Sequence, residues 1–140
     1  SDASDGALEV ARINVARHRL RRRIRLLHSD LFAALGSERY DLIVCNPPYV
    51  TDRSMRALPR EYRHEPALAL AGGRDGLALV RRILAGARTH LGARGLLVCE
   101  IGGGRGVLER VYPQLPFAWP ETSAGAGCVF ALEREALPAR

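Results

Sequence analysis

Helical and strand-like segments alternate along this sequence, which predicts an α/β fold with a mostly parallel sheet and an antiparallel ending. Three observations carry that reading. A β-branched run over residues 40–45 stops at two prolines, a second apolar run over 96–101 follows a strongly amphipathic stretch, and two more strand-like runs flank a glycine-rich turn near the end. The 140 residues are 47% hydrophobic, 26% charged and 6% aromatic, which is one domain's worth of ordinary globular chain, residues 1–140. That apolar fraction excludes disordered, collagen-like and low-complexity classes. The longest apolar runs are about six residues, against the roughly 20 that a membrane helix needs.

The elements follow in order. Ser4-Asp5 supplies a side-chain cap and an acid at the positive end of a helix dipole, and Leu8, Ala11 and Val15 fall at helical spacing. A helix is therefore expected over residues 5–18. After Arg21-Arg22-Arg23, the run Ile24-Arg25-Leu26-Leu27 reads as a short strand, and residues 31–35 as a turn of helix. Tyr40 to Cys45 reads as a buried strand, expected to end at Asn46-Pro47-Pro48-Tyr49 because neither proline can donate a ladder hydrogen bond. Residues 50–73 are polar and proline-punctuated, a long loop of the kind that usually serves function. Residues 75–91 form the strongest helix, with Leu77, Val80, Leu84, Ala87 and Leu91 on one face, and the strand from Leu96 to Ile101 follows Gly95. Gly102-Gly103-Gly104-Arg105-Gly106 opens a short helix ended by Pro113. Phe117-Ala118-Trp119 and Cys128 to Leu132 then read as a terminal hairpin.

Composition narrows the chemistry little. Cys45, Cys99 and Cys128 are far apart and flanked by strand residues, so they read as reduced core thiols of a cytoplasmic protein. The opening residues lack the basic-then-apolar pattern of a signal peptide. His18, His28, His64 and His90 have no metal-ligand spacing, so no metal is expected. All 21 basic residues are arginine, giving a net charge of +6, which suits an acidic or RNA-rich partner but equally reflects base composition.

Asn46-Pro47-Pro48-Tyr49 is the sharpest feature. It lies at the carboxyl end of a strand, where open α/β sheets place ligands. The prolines stiffen the backbone and leave carbonyl oxygens unpaired. The Asn46 side-chain oxygen and the Pro47 carbonyl can then accept both hydrogens of a planar amino group, while Tyr49 offers a flat face to stack on it. Such a grip aims a weakly nucleophilic amide or exocyclic amine along one line, which is what a methyl transfer requires.

This tetrapeptide resembles the signature of amino-methyltransferases that use S-adenosylmethionine, a group holding both protein-glutamine and DNA-adenine enzymes. The flanks resemble the protein-(glutamine-N5) methyltransferases. Glu65-Pro66 and the run Gly73, Asp75, Gly76, Leu77 match what that family shares, including its release-factor enzymes. Tyr62-Arg63-His64, Tyr112-Pro113, Pro116 to Trp119 and Glu121 resemble its ribosomal branch, which methylates a glutamine of the third large-subunit ribosomal protein. The resemblance implies a Rossmann-like class I methyltransferase domain and an S-adenosylmethionine cofactor. It also implies a carboxyl-terminal part of the enzyme, whose first strand and glycine loop precede Asp2. On the cofactor side it implies Asp2 on the ribose hydroxyls, and Asp30 with Leu31 at the adenine, while Asn46 serves both cofactor and substrate. Tyr62, His64 and Glu65 would shape the substrate loop, and the partner would be a ribosomal protein, with ribosome assembly intermediates as a wider setting.

Two other readings stand beside it. Gly102, Gly104 and Gly106 follow a strand and open a helix as a cofactor loop does, with Glu121 beyond, so a permuted DNA-adenine enzyme is an alternative. A tight turn is the plainer account of those glycines. Arg19, Arg21, Arg22, Arg23 and Arg25 suggest an RNA-binding module. If residues 24–27 are a strand, however, these arginines alternate between two faces, and no aromatics interleave for base stacking, so a solvated edge is expected instead.

Overall fold

A computed structural model describes residues 1–57, 67–123 and 125–139, and within these the chain divides into two compact units, residues 1–38 and 39–140. In the first unit, helix α1 spans Asp5–Arg17. The Ser4 hydroxyl accepts from the Ala7 amide at 3.2 Å, and Asp5 and Arg17 sit at the dipole ends that favour their charges. Leu8 is buried, with Ala11 and Val15 half-buried on the same face. The helix ends at His18, and Arg19 turns the chain in a left-handed conformation, φ +58°.

The strand expected at residues 24–27 does not form. The Arg23 and Ile24 amides both donate back to the Leu20 carbonyl, which curls this segment into turns. One parallel bridge remains, between Asp2 and His28: the Asp2 amide donates to Leu27 and the Ser29 amide donates to Asp2. Among the described residues the pairing there stops at that bridge. Residues 31–35 are likewise turns rather than helix, held by three-residue bonds from Ala33 to Asp30 and from Leu35 to Phe32.

The second unit is a mixed α/β layer. Strand β1 spans Tyr40–Cys45, helix α2 Asp52–Arg56, helix α3 Ala67–Leu70 and helix α4 Ala78–His90. Strand β2 spans Leu91–Glu100, helix α5 Arg105–Val111 and strand β3 Val129–Glu133, followed by a 3-10 turn at Arg134–Ala136. The sheet order is β1-β2-β3, with β1 parallel and β3 antiparallel to β2. The segment read as a featureless loop over 50–73 thus contains helical turns, the first capped by Thr51, whose hydroxyl accepts from Ser54. Thr51-Asp52 is a capping signal that the polar composition masked.

Helix α4 begins three residues later than its periodicity predicts. Asp75 instead closes the turn before it, accepting from the Leu77 amide at 3.1 Å and pairing in bidentate fashion with Arg81 at 2.9 and 2.6 Å. That guanidinium holds the Asp75 carboxyl down at about 2. Leu77, Val80, Leu84, Ala87 and Leu91 are all buried, as is Ile83, and α4 contacts β2. Burying one such aliphatic side chain contributes about 1.5–3 kcal/mol, so this stripe is the core of the unit.

Strand β2 starts earlier than expected. β1 advances from Tyr40 to Leu42 while β2 advances from Leu91 to Leu96, a bulge that brings Leu42 to Cys45 into regular register with Leu96 to Cys99. Across the sheet, Leu97, Cys99, Phe130 and Leu132 turn to the buried face. The expected terminal hairpin reduces to one antiparallel bridge, Ala118 to Ala131. Pro116 and Pro120 cannot donate, so the segment between them cannot extend the pairing. Its side chains pack instead: Phe117 and Trp119 lie with their ring centroids 5.1 and 6.0 Å from that of Phe130. Arg105 covers Trp119 at 4.8 Å. No helix among the described residues is long and apolar enough to cross a membrane.

Candidate active site

The tetrapeptide Asn46-Pro47-Pro48-Tyr49 leaves the carboxyl end of β1, as its prolines dictate. Pro47 is buried, Pro48 and Tyr49 half-buried, and Asn46 exposed. Among the described residues, nothing hydrogen-bonds the Asn46 side chain and nothing donates to the Pro47 carbonyl. The two acceptors that the sequence singled out are therefore uncommitted.

What holds the motif is a collar of glycines. The Val50 amide donates to Leu70, the Gly72 amide donates to Val50 at 2.8 Å, and the Asp52 amide donates to Gly73. A side chain at Gly72 would meet the Tyr49 backbone at 2.6 Å, and one at Gly76 would meet the Tyr49 carbonyl oxygen at 2.6 Å. Gly73 and Gly76 are also left-handed, with φ +79° and +80°. The Gly-x-Asp-Gly-Leu run is thus the part of the fold that grips the tetrapeptide from one side.

Gly102 grips it from another. This residue has φ +53°, and a methyl there would lie 2.7 Å from the Tyr49 ring. The Tyr49 hydroxyl donates to Glu100 Oε1 at 3.2 Å. Burial, followed by the Glu100 charge, raises the tyrosine's pKa, so it stays neutral. The glycines at 102–106 accordingly form a tight turn that admits an aromatic ring, and the helix they open has only seven residues. Gly102→Ala is expected to displace Tyr49 and cut catalytic turnover by about 10²-fold, on the scale of a small misplacement of a positioned group. Gly103→Ala, which meets nothing within 4 Å, should leave turnover unchanged. Steady-state kinetics of the two variants checks this, and equal behaviour would remove Gly102 from the site.

The first unit carries the predicted cofactor residues. The Asp2 bridge brings that acid beside Ser29, one residue from Asp30. The Asp2 Oδ1 accepts from the Ser4 amide at 2.8 Å, which fixes the carboxylate at the start of α1. No described residue takes its other oxygen, so the exposed carboxylate retains acceptor capacity for a ribose hydroxyl. Ser29 is buried, and its hydroxyl donates to the Leu31 carbonyl at 2.9 Å and accepts from the Ala34 amide at 3.0 Å. Those bonds hold Leu31 at φ +50°, a conformation an aliphatic residue adopts only when its surroundings impose it. The Asp30-Leu31 turn is thus built rather than incidental.

Tyr62, His64 and Glu65 lie outside the described residues. Sequence reasoning missed Glu100, Gly72 and Ser29. Ser29 directly precedes Asp30, and Glu100 lies inside the strand expected from Leu96 to Ile101. Gly72 had no signal beyond its place next to Gly73. The cysteines are free thiols, and burial pushes Cys45 up to about 11 and Cys99 higher still, so neither is a ready nucleophile. Among the described residues no three metal-ligating side chains gather.

Comparison with known proteins decides the relationship. Residues 1–61 match the family described as the methyltransferase small domain. The ribosomal protein uL3 glutamine methyltransferase of Neisseria meningitidis (serogroup A, strain Z2491) is 56% identical over 97% of this chain. The enzymes of the same name from Bordetella pertussis and Burkholderia pseudomallei are 54% and 48% identical, over 97% and 99% of it. The chain is homologous to the uL3 glutamine methyltransferases. It spans 45–47% of the length of these relatives, about half. That likeness runs along nearly the whole of this chain.

Proposed function

We propose that this stretch works in an S-adenosylmethionine-dependent methyltransferase that modifies the side-chain amide of a glutamine in ribosomal protein uL3. Residues 1–140 then belong to one catalytic domain of the Rossmann-like class I type. The observation that carries the reading is the exposed, uncommitted Asn46 side chain beside the undonated Pro47 carbonyl, on a strand end clamped by glycines. Two acceptors so placed suit the two hydrogens of a primary amide.

Asp2 would accept from the ribose, and the Asp30-Leu31 turn would take the adenine. When bound, S-adenosylmethionine supplies a methyl group on a sulfonium, an electrophile that needs an aligned nucleophile. The chain's own residues do the aligning. Asn46 Oδ1 and the Pro47 carbonyl hold the amide protons, which raises electron density on the nitrogen and fixes its direction. Tyr49, tied to Glu100 and backed by Gly102, limits the amide's rotation by contact with its plane. Tyr62, His64 and Glu65, by the resemblance, shape the loop that receives the glutamine.

The test is acceptor choice. With cofactor labelled on the methyl, the enzyme is expected to label uL3 and leave adenine-bearing DNA unlabelled. Label entering DNA and not uL3 would replace this reading with the adenine one.

A further inference from the structure

Leu96 to Ile101 is apolar except for Glu100, and an acid in such a strand costs free energy unless its charge is satisfied. Cys45 is the register partner of Cys99. Asn46 and Glu100 each follow by one residue, so they stand together at the carboxyl end of two adjacent parallel strands. Alternation turns Glu100 to the face opposite the buried Cys99, and there it is half-buried. Its side-chain hydrogen-bond partner among the described residues is the Tyr49 hydroxyl, at 3.2 Å.

That bond completes a three-point hold on Tyr49. Gly72 and Gly76 lie against its backbone, and Gly102 lies against Cδ2 and Cε2 of its ring. These glycines set where the residue starts and oppose a flip of the ring. The hydroxyl lies on the ring's long axis, so the bond to Glu100 fixes the direction in which the ring points. This matters at the acceptor. An amide held only by Asn46 and Pro47 can still swing about the line joining those two oxygens, and a ring face against its plane stops the swing.

We propose that Glu100 is a positioning residue for methyl transfer, its carboxylate holding the Tyr49 ring face against the plane of the acceptor amide. The inference rests on the amide-gripping role given above to Asn46, Pro47 and Tyr49. A carboxylate suits the task, because a hydrogen bond to a charged acceptor is stronger than one between neutral groups. Glu100 acts through Tyr49 rather than on the reacting atoms.

A double-mutant cycle in the enzyme, with uL3 and methyl-labelled S-adenosylmethionine, tests it. Glu100→Ala and Tyr49→Phe are each expected to lower kcat by about 10–10²-fold, the scale of losing a hydrogen bond to a charged group, and to leave KM for S-adenosylmethionine within about twofold. The double variant should be no slower than either single one, because both changes remove the same bond. Glu100→Gln keeps an acceptor oxygen and should recover most of the turnover, to within about threefold of the parent. Glu133→Ala, at the opposite end of the sheet beside Leu96, should leave kcat unchanged. Urea denaturation of each variant reads folding separately, and if Glu100→Ala does not fold, Tyr49→Phe and Glu100→Gln carry the test. A Tyr49→Phe variant that turns over like the parent would overturn the proposal. So would losses that multiply in the double variant, or a Glu100→Gln variant with no more turnover than Tyr49→Phe. Failure of the underlying reading shows differently: the parent would then methylate an acceptor other than a uL3 glutamine, and the same cycle on that acceptor would still report on Glu100.

Discussion

Asn46→Ala is expected to abolish methyl transfer, lowering the turnover rate by about 10²–10³-fold, the scale set by removing one positioned polar group from a reacting centre. Fold stability should change by less than about 0.5 kcal/mol, since the side chain is exposed and bonded to no described residue. The split follows from the geometry. Among the described residues the Asn46 side chain bonds nothing in β1 or the collar, so removing it costs no such bond. Single-turnover kinetics beside urea denaturation reads both quantities. A variant that turns over normally would sink the amide-gripping role, and one that unfolds would make Asn46 structural.

Gly76→Ala should do the opposite, acting on the fold before the chemistry. The added methyl would meet the Tyr49 carbonyl oxygen at 2.6 Å at a backbone position with φ +80°. Overpacking against backbone costs about 1–3 kcal/mol, and an alanine forced into the left-handed region adds about 1 kcal/mol. A loss of about 2–4 kcal/mol is a large share of the 5–15 kcal/mol, roughly, that holds a domain. Gly36→Ala isolates the conformational part, because Gly36 also has a positive φ, +60°, but nothing lies within 4 Å of the new methyl. Denaturation midpoints should fall far more for Gly76→Ala than for Gly36→Ala. Equal shifts would mean that Tyr49 can yield, and that the collar does not clamp the tetrapeptide.

Much of this was legible in the residues. The stripe Leu77, Val80, Leu84, Ala87 and Leu91 announced α4, because helical periodicity survives any tertiary context that buries one face. Two prolines announced the end of β1 for a purely local reason. What the sequence concealed depended on partners distant in the chain. Residues 24–27 have strand composition, but strands form by pairing, and among the described residues only the single Asp2–His28 bridge lies there. Phe117 to Trp119 have strand composition too, yet flanking prolines and packing on Phe130 leave a single bridge. At the site, Asn46 and Tyr49 could be read from chemistry alone, whereas the Tyr49–Glu100 bond spans 51 residues and no spacing rule foretells it. The left-handed Leu31 was equally hidden, since its cause is a buried serine two residues back.

The central claim is that Asn46, Pro47 and Tyr49 aim a glutamine amide at a methyl donor. Tandem mass spectrometry of uL3 after incubation with enzyme and S-adenosylmethionine tests it most directly. The account predicts one added methyl on the side-chain nitrogen of a single glutamine, absent when Asn46→Ala replaces the parent enzyme. A methyl on any other atom, or the same modified glutamine from the Asn46→Ala variant, would contradict it.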